Sequence, residues 1–382
     1  MGSFNLFDND SVSNLYPLTL TRPAGDLRVG ILTIAEKWKH FLSADLFGFS
    51  TQTHLQTKFK QVPNAALHIL GQLLPNSELV GEIQKLNEGQ FLVKDNIVLA
   101  YHHTQNEKIE YAGEISIVQR PFDLFKLNHQ EILSDFNLLT SGRKSQELPK
   151  SNHIFGQYPI FLEEGVKAEC STFNTSEGPI YLGKNTEVME GSLIRGPFAM
   201  CEGSKLKLGT KVYGATTLGP YCNVGGEVNN IVMHGFSNKG HDGFLGNAVL
   251  GEWCNIGADS NCSNLKNTYD EVKVWNYTTS RFEKSGQQFC GLIMGDHSKC
   301  GINTMFNTGT VVGVACNLFG AGFPRQFVPD FSWGGASGFV PHQMPAVEKT
   351  AKLVMVRRNK EFDEIEKSIL HWIYNNYTPT NS

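Results

Sequence analysis

A chain of 382 residues, 40% hydrophobic and 18% charged, has the material for two domains with a core each. Its formal net charge of −4 at pH 7 gives no electrostatic ground for binding nucleic acid or an anionic membrane, so the implied partner is a small molecule. No stretch reaches the roughly 18 consecutive apolar residues of a membrane span and residues 1–7 carry no basic leader, so the expectation is a cytoplasmic protein.

Residues 3–7, Ser-Phe-Asn-Leu-Phe, alternate as a first strand and run into Asp8-Asn9-Asp10, a turn former. The run Tyr16-Pro-Leu-Thr-Leu-Thr-Arg-Pro-Ala-Gly-Asp-Leu-Arg-Val-Gly30 follows, and then a helical segment from Thr33 to Leu42. Further strands are expected at 66–70, 91–93 and 97–101, and strands alternating with helical segments make a small α/β head domain over 1–150. A segment from Pro121 to Leu139 closes it with a helix near 130–138, and residues 140–152, rich in Ser, Lys and Gln, read as a linker.

The next region, 151–335, has a different period. Counting from Leu182 in sixes gives Val188, Ile194, Met200, Leu206, Val212, Leu218 and Val224, all apolar. With 40% apolar residues, eight hits in one register arise by chance on the order of once in a thousand. After a two-residue shift the count resumes at Phe244, Leu250, Ile256 and Cys262, and a third run gives Met294, Cys300, Phe306, Val312 and Leu318. A period of six fits neither a helix nor a hairpin sheet, but it fits a hexapeptide parallel β-helix whose ladder residues point into a triangular prism. Between 265 and 291 the count lapses, and Lys273–Phe282 alternates at period two, as a hairpin-like excursion would. A helical tail, 336–382, carries Val347, Ala351, Val354, Phe362, Ile365, Ile369 and Ile373 on one apolar stripe. The eight cysteines form no C-x-x-C pair and read as reduced core residues, so neither a metal site nor a disulfide frame is expected.

The stretch from Asn238 to Asn264 carries Gly240-His241, Leu245-Gly246, Asn255-Ile-Gly-Ala258 and a closing Asn264. At this spacing it resembles the acyltransferase half of the bifunctional family with N-acetylglucosamine-1-phosphate uridyltransferase and glucosamine-1-phosphate acetyltransferase activities. That resemblance implies a left-handed β-helix, a homotrimer, acetyl-CoA as acyl donor and an amino sugar or its phosphate as acceptor. It makes His241 the general base, with Asn255, Asn264 and Phe244 lining the site. An ammonium must lose its proton before its nitrogen attacks a thioester, and an imidazole suits that task. The two cations with which the family holds phosphate are absent, since Asn229-Asn230 and Met200-Cys-Glu202 occupy those positions. Lys239 and Lys273 are the substitutes the sequence offers.

The head resembles sugar-phosphate nucleotidyltransferases through Tyr16–Pro23, and over Leu15–Trp38 it is similar to sugar nucleotidyltransferases with a β-helix behind a short head. The resemblance offers Thr21, Arg22, Arg28 and Lys37 for nucleotide phosphates, with Mg2+ as the ion; as residues alone, the three cations are equally surface or structural groups. A phosphate-cradling glycine turn is missing, because Asp8 and Asp10 stand where backbone N–H groups should be free. The expected architecture is therefore a reduced, nucleotidyltransferase-like α/β head, an all-β left-handed parallel β-helix and a C-terminal α-helix. The favoured activity is N-acetylation of an amino sugar, followed by sugar-1-phosphate nucleotidyl transfer and by a non-catalytic scaffold that binds a nucleotide sugar.

Overall fold

The computed structural model describes residues 2–378. Contacts gather the chain into two compact units: residues up to Leu15 with Thr19–Leu27 and Leu32–Arg120, and Tyr16–Leu18 with Arg28–Ile31 and everything from Pro121 on.

The first unit is built on a six-stranded mixed sheet. Its strands β1 (Ser3–Phe7), β2 (Leu46–Ser50) and β3 (Leu67–Leu70) are parallel, with β1 in the middle. Ile97–His102 pairs antiparallel to β3 and to Gln90–Lys94, and Glu107–Glu110 forms the far edge. Helix α1 (Ile34–Leu42) begins where Thr33 and Glu36 close a reciprocal capping box, and α2 (Ser77–Gln84) begins at Asn76, whose side chain accepts the N–H of Leu79.

The second unit is a parallel β-helix. Three inward columns run along it: Leu182, Met200, Leu218, Met233 and Leu250 on one face; Val188, Leu206 and Val224 on the next; Ile194, Val212, Val228 and Leu245 on the third. All of these are buried in one continuous core. Each coil covers its apolar edge only with its neighbours, so truncating one ladder leucine to alanine costs about 2–5 kcal/mol. Corners are closed by a hydroxyl two residues before the ladder: Thr186, Ser192, Ser204, Thr210, Thr304 and Thr310 each donate to the carbonyl three residues back, at 2.6–2.9 Å.

The period slips after Val224. The corner at Gly225-Gly226 tightens, so the next ladder residues are Val228 and Met233, and the strands Glu227–Gly235 and Phe244–Glu252 each run round a corner unbroken. Leu245, not Phe244, therefore takes the ladder position; Phe244 pairs with Glu227 and is half exposed. The excursion contains an antiparallel hairpin, Lys273–Asn276 against Arg281–Lys284.

Helix α3 (Asp123–Thr140) counts with the coils and not with the head in which the sequence places it. Its Asn128 accepts the N–H of Gly30 at 2.8 Å and the Thr217 hydroxyl at 3.1 Å, and donates to the Ala215 carbonyl at 2.8 Å. The tail is two helices, α4 (Met344–Val356) and α5 (Glu364–Tyr377). Asn359 turns left-handed between them, and Asp363 caps α5 by accepting the N–H groups of Ile365 and Glu366. Among the described residues no helix is long and apolar enough to cross a membrane.

Candidate functional site

On one flank of the β-helix, residues just before the ladder point outward. Asn223 pairs with Asn238, Asn238 bridges to Asn255 and Asn255 to Lys299, with Lys205 one coil before Asn223. Because side chains alternate along a strand, a polar column of Lys, three Asn and Lys stands back to back with Leu206, Val224, Lys239, Ile256 and Cys300. The amides couple along it, with Asn223 Nδ2 donating to Asn238 Oδ1 at 2.6 Å.

The turn that follows Lys239 carries His241. Gly243 closes it at φ 109°, a conformation that favours glycine, and a Cβ there would meet the Ser260 carbonyl at 2.2 Å. His241 is exposed, and among the described residues no side-chain hydrogen bond holds its imidazole. It faces a cleft of about 930 Å3, bounded by Asn238, Asn255 and Trp253 on the coils and by Thr350, Val354, Arg357 and Arg358 of α4 and the turn after it. Arg358 reaches back to the coil, donating from Nη2 to Asn238 Oδ1 at 3.0 Å.

His241 and Asn255 thus line one cleft. Lys239 does not reach it. It fills an inward ladder position, 1% exposed, and its ammonium donates to the carbonyls of Gly225 at 2.8 Å and His241 at 2.7 Å. Burial pushes that ammonium down to about 8, partly offset by Asp242 and Asp259. Phe244 and Asn264 meet each other across Gly246, where a Cβ would touch both side chains, and Asn264 Nδ2 donates to Asn247 Oδ1 at 2.7 Å; neither residue lines the His241 cleft. Lys273 is exposed on the hairpin, also away from it.

The candidate nucleotide residues divide between the units. Thr21, Arg22 and Lys37 are buried in the first; Arg22 pairs with Asp26 at 3.3 Å. Arg28 belongs to the second, donating through Nη1 to the Ile31 carbonyl and, at 3.7 Å, to Cys201 Sγ. Arg22 and Arg28 are thus both buried, each with partners inside its own unit. Asp8, at the end of β1, accepts the Ala24 N–H at 3.0 Å and the Thr51 hydroxyl at 2.6 Å. Burial raises its carboxyl to about 6 against those two hydrogen bonds. It pins the backbone of Ala24 and the Thr51 side chain at that position.

The residues the sequence reading missed are Lys205, Lys207, Lys299, Arg357 and Arg358. The coil members were legible, since Lys205 and Lys299 immediately precede ladder residues; the two arginines were not, because only the fold brings the end of α4 to the coils.

A family model described as sugar nucleotidyl transferase matches residues 4–144. No curated protein matches the chain in sequence. Among solved structures, the polySia-specific acetyltransferase NeuO is similar at 11% identity and a TM-score of 0.25, over 50% of this chain and 87% of that one. A hexapeptide transferase family protein from Anaplasma phagocytophilum is similar at 15% identity and a TM-score of 0.20, over 55% and 92%. At TM-scores of that size neither likeness bears on the activity.

Proposed function

We propose that the chain is an acyl-CoA-dependent N-acyltransferase acting on an amino sugar or its phosphate, with the left-handed, trimeric assembly that its resemblance implies. The observation that carries this reading is that His241 and Asn255 lie on one cleft beside the polar column. An exposed imidazole there can take the proton from the acceptor's ammonium, freeing the lone pair that attacks the acyl carbonyl; the acyl donor supplies the activated carbonyl and leaves as the free thiol. Asn255, fixed by strand bridges on both sides, is placed to hydrogen-bond the acceptor. Phe244 and Asn264, on a different flank, take part if a neighbouring copy brings them to this cleft.

The reading is tested by thiol release from acetyl-CoA over a panel of amino sugars and their 1-phosphates. Acceptor-dependent release supports it, and none with any acceptor contradicts it.

A second reading, sugar-1-phosphate nucleotidyl transfer with Mg2+ through the head, is favoured by the match over residues 4–144. The burial of Arg22 and Lys37 and the inward carboxylate of Asp8 weigh against it. Pyrophosphate release from a nucleoside triphosphate and a sugar 1-phosphate would establish it, and neither release would leave the scaffold.

A further inference from the structure

The lining of the His241 cleft includes five cations, Lys205, Lys207, Lys299, Arg357 and Arg358, and no carboxylate. Among the described residues only Lys205 of the five has a carboxylate partner, Glu187 at 2.6 Å. Five cations less one carboxylate leave four positive charges on one concave wall of a chain whose net charge is −4. Like charges so gathered repel one another, and a cleft walled by protein concentrates their field on whatever enters.

The hydrogen-bond partners of Lys299 and Arg358 are neutral. Lys299 is set into the wall and donates to the carbonyls of His297 at 2.7 Å and Trp253 at 3.4 Å; Arg358 rests on the amide oxygen of Asn238 at 3.0 Å. Burial drives the Lys299 ammonium down to about 8, with Cys254 opposing, so its charge is held there at a cost that an anion in the cleft would offset. Arg357, at the C-cap of α4, is exposed, and Lys207 is half exposed. Both side chains are free to turn onto a ligand.

We propose that this cleft is a phosphate clamp: it takes a ligand bearing a phosphomonoester or diphosphate, whose oxygens are met by Lys207 and Lys299 from the coils and by Arg357 and Arg358 from the end of α4. Arginine forks suit phosphate oxygens bidentately, and lysines serve as point charges. The clamp rests on the acyl-transfer reading only for which substrate brings the phosphate, acceptor or acyl donor. It stands away from positions 196–202 and 229–230, where the resemblance would look for such cations.

Calorimetric titration with inorganic pyrophosphate tests it, on the full chain, the Lys207→Gln/Arg357→Gln double variant and a Lys352→Gln control exposed on α4 outside the cleft. Neither side chain is buried, so both can be exchanged without unfolding, which an unchanged Tm verifies. We expect the double variant to bind pyrophosphate roughly 10- to 100-fold more weakly and the control to match the parent. The same loss for glucosamine 1-phosphate but not glucosamine assigns the phosphate to the acceptor; the same loss for CoA but not pantetheine assigns it to the acyl donor. Equal pyrophosphate affinity in all three proteins, or no millimolar binding by the parent, overturns the clamp. A protein that binds pyrophosphate through these residues yet releases no CoA sinks the acyl reading and leaves the clamp standing.

Discussion

Lys239 is where the ladder breaks its own rule. Its neighbours in the column are Val224 and Ile256, and a lysine among them costs desolvation that an apolar residue would not. What it does in return is tie down the turn, since its ammonium holds the carbonyl of His241. Lys239→Met should fold, because methionine adapts to the same space, but should lower kcat about tenfold or more at unchanged KM for the acyl donor by loosening the base. Steady-state kinetics on the variant decide it, and an unchanged kcat would reduce Lys239 to a core residue. His241 and Asn255 were legible because Gly240-His241 and Asn255-Ile-Gly257 stand at the spacing of the acyltransferase family that the stretch resembles. The interior place of Lys239 was not, because the shortened corner at Gly225-Gly226 moves every later register by less than a full strand.

Among the elements, the hairpin is joined to the coils through its turn. Tyr277 donates its hydroxyl to Asp330 Oδ2 at 3.1 Å, and Asp330 Oδ1 accepts the Val314 N–H at 2.6 Å. Burial raises the Asp330 carboxyl to about 6, opposed by these two bonds. The folded protein thus holds this proton up to about pH 6, whereas the unfolded chain releases it near 3.8, so between those values folding binds the proton and stability falls as pH rises. The loss is on the order of 3 kcal/mol and is complete above pH 6. Asparagine can accept from Val314 and donate to the Tyr277 oxygen, so Asp330→Asn should raise the Tm at pH 7.5 and remove this group's contribution to the slope between about pH 4 and 6. Scanning calorimetry from pH 4 to 8 checks this, and an unchanged slope would contradict it. The elements themselves were largely legible: Thr33 and Glu36 announce α1, and alternation announces the hairpin. The tail was misread as one stripe because Val354 and Phe362 fit a single helical face on paper, while Asn359 and the Asp363 cap divide it.

At the scale of the whole molecule, one flank of the coils leaves apolar side chains in water. Phe155 is 59% exposed and Leu193 52%, along a groove shared with Tyr213, Asn174 and Arg195. Together with Phe244 and Asn264, which lie off the His241 cleft, this supports the proposed trimer. Light scattering in solution should give three times the mass of the chain, and a monomer at micromolar concentration would remove the shared site. The β-helix could be read from composition and period because its interior accepts one apolar side chain per strand; how α4 closes over the polar column could not, since nothing local ties Arg357 and Arg358 to residues on the coils.

In the proposed reaction the exposed imidazole of His241 removes the acceptor's proton. Replacing an exposed residue typically changes stability by no more than about 0.5 kcal/mol, whereas removing a general base costs roughly 10² to 10⁴ in rate. The decisive measurement is acetyl-CoA thiol release by His241→Ala beside the parent protein, on the acceptor the parent uses best and with the Tm of both recorded. An unchanged Tm and a rate lowered by about a hundredfold or more are expected; a variant that folds and releases CoA at the parent rate would contradict the role of His241 as base.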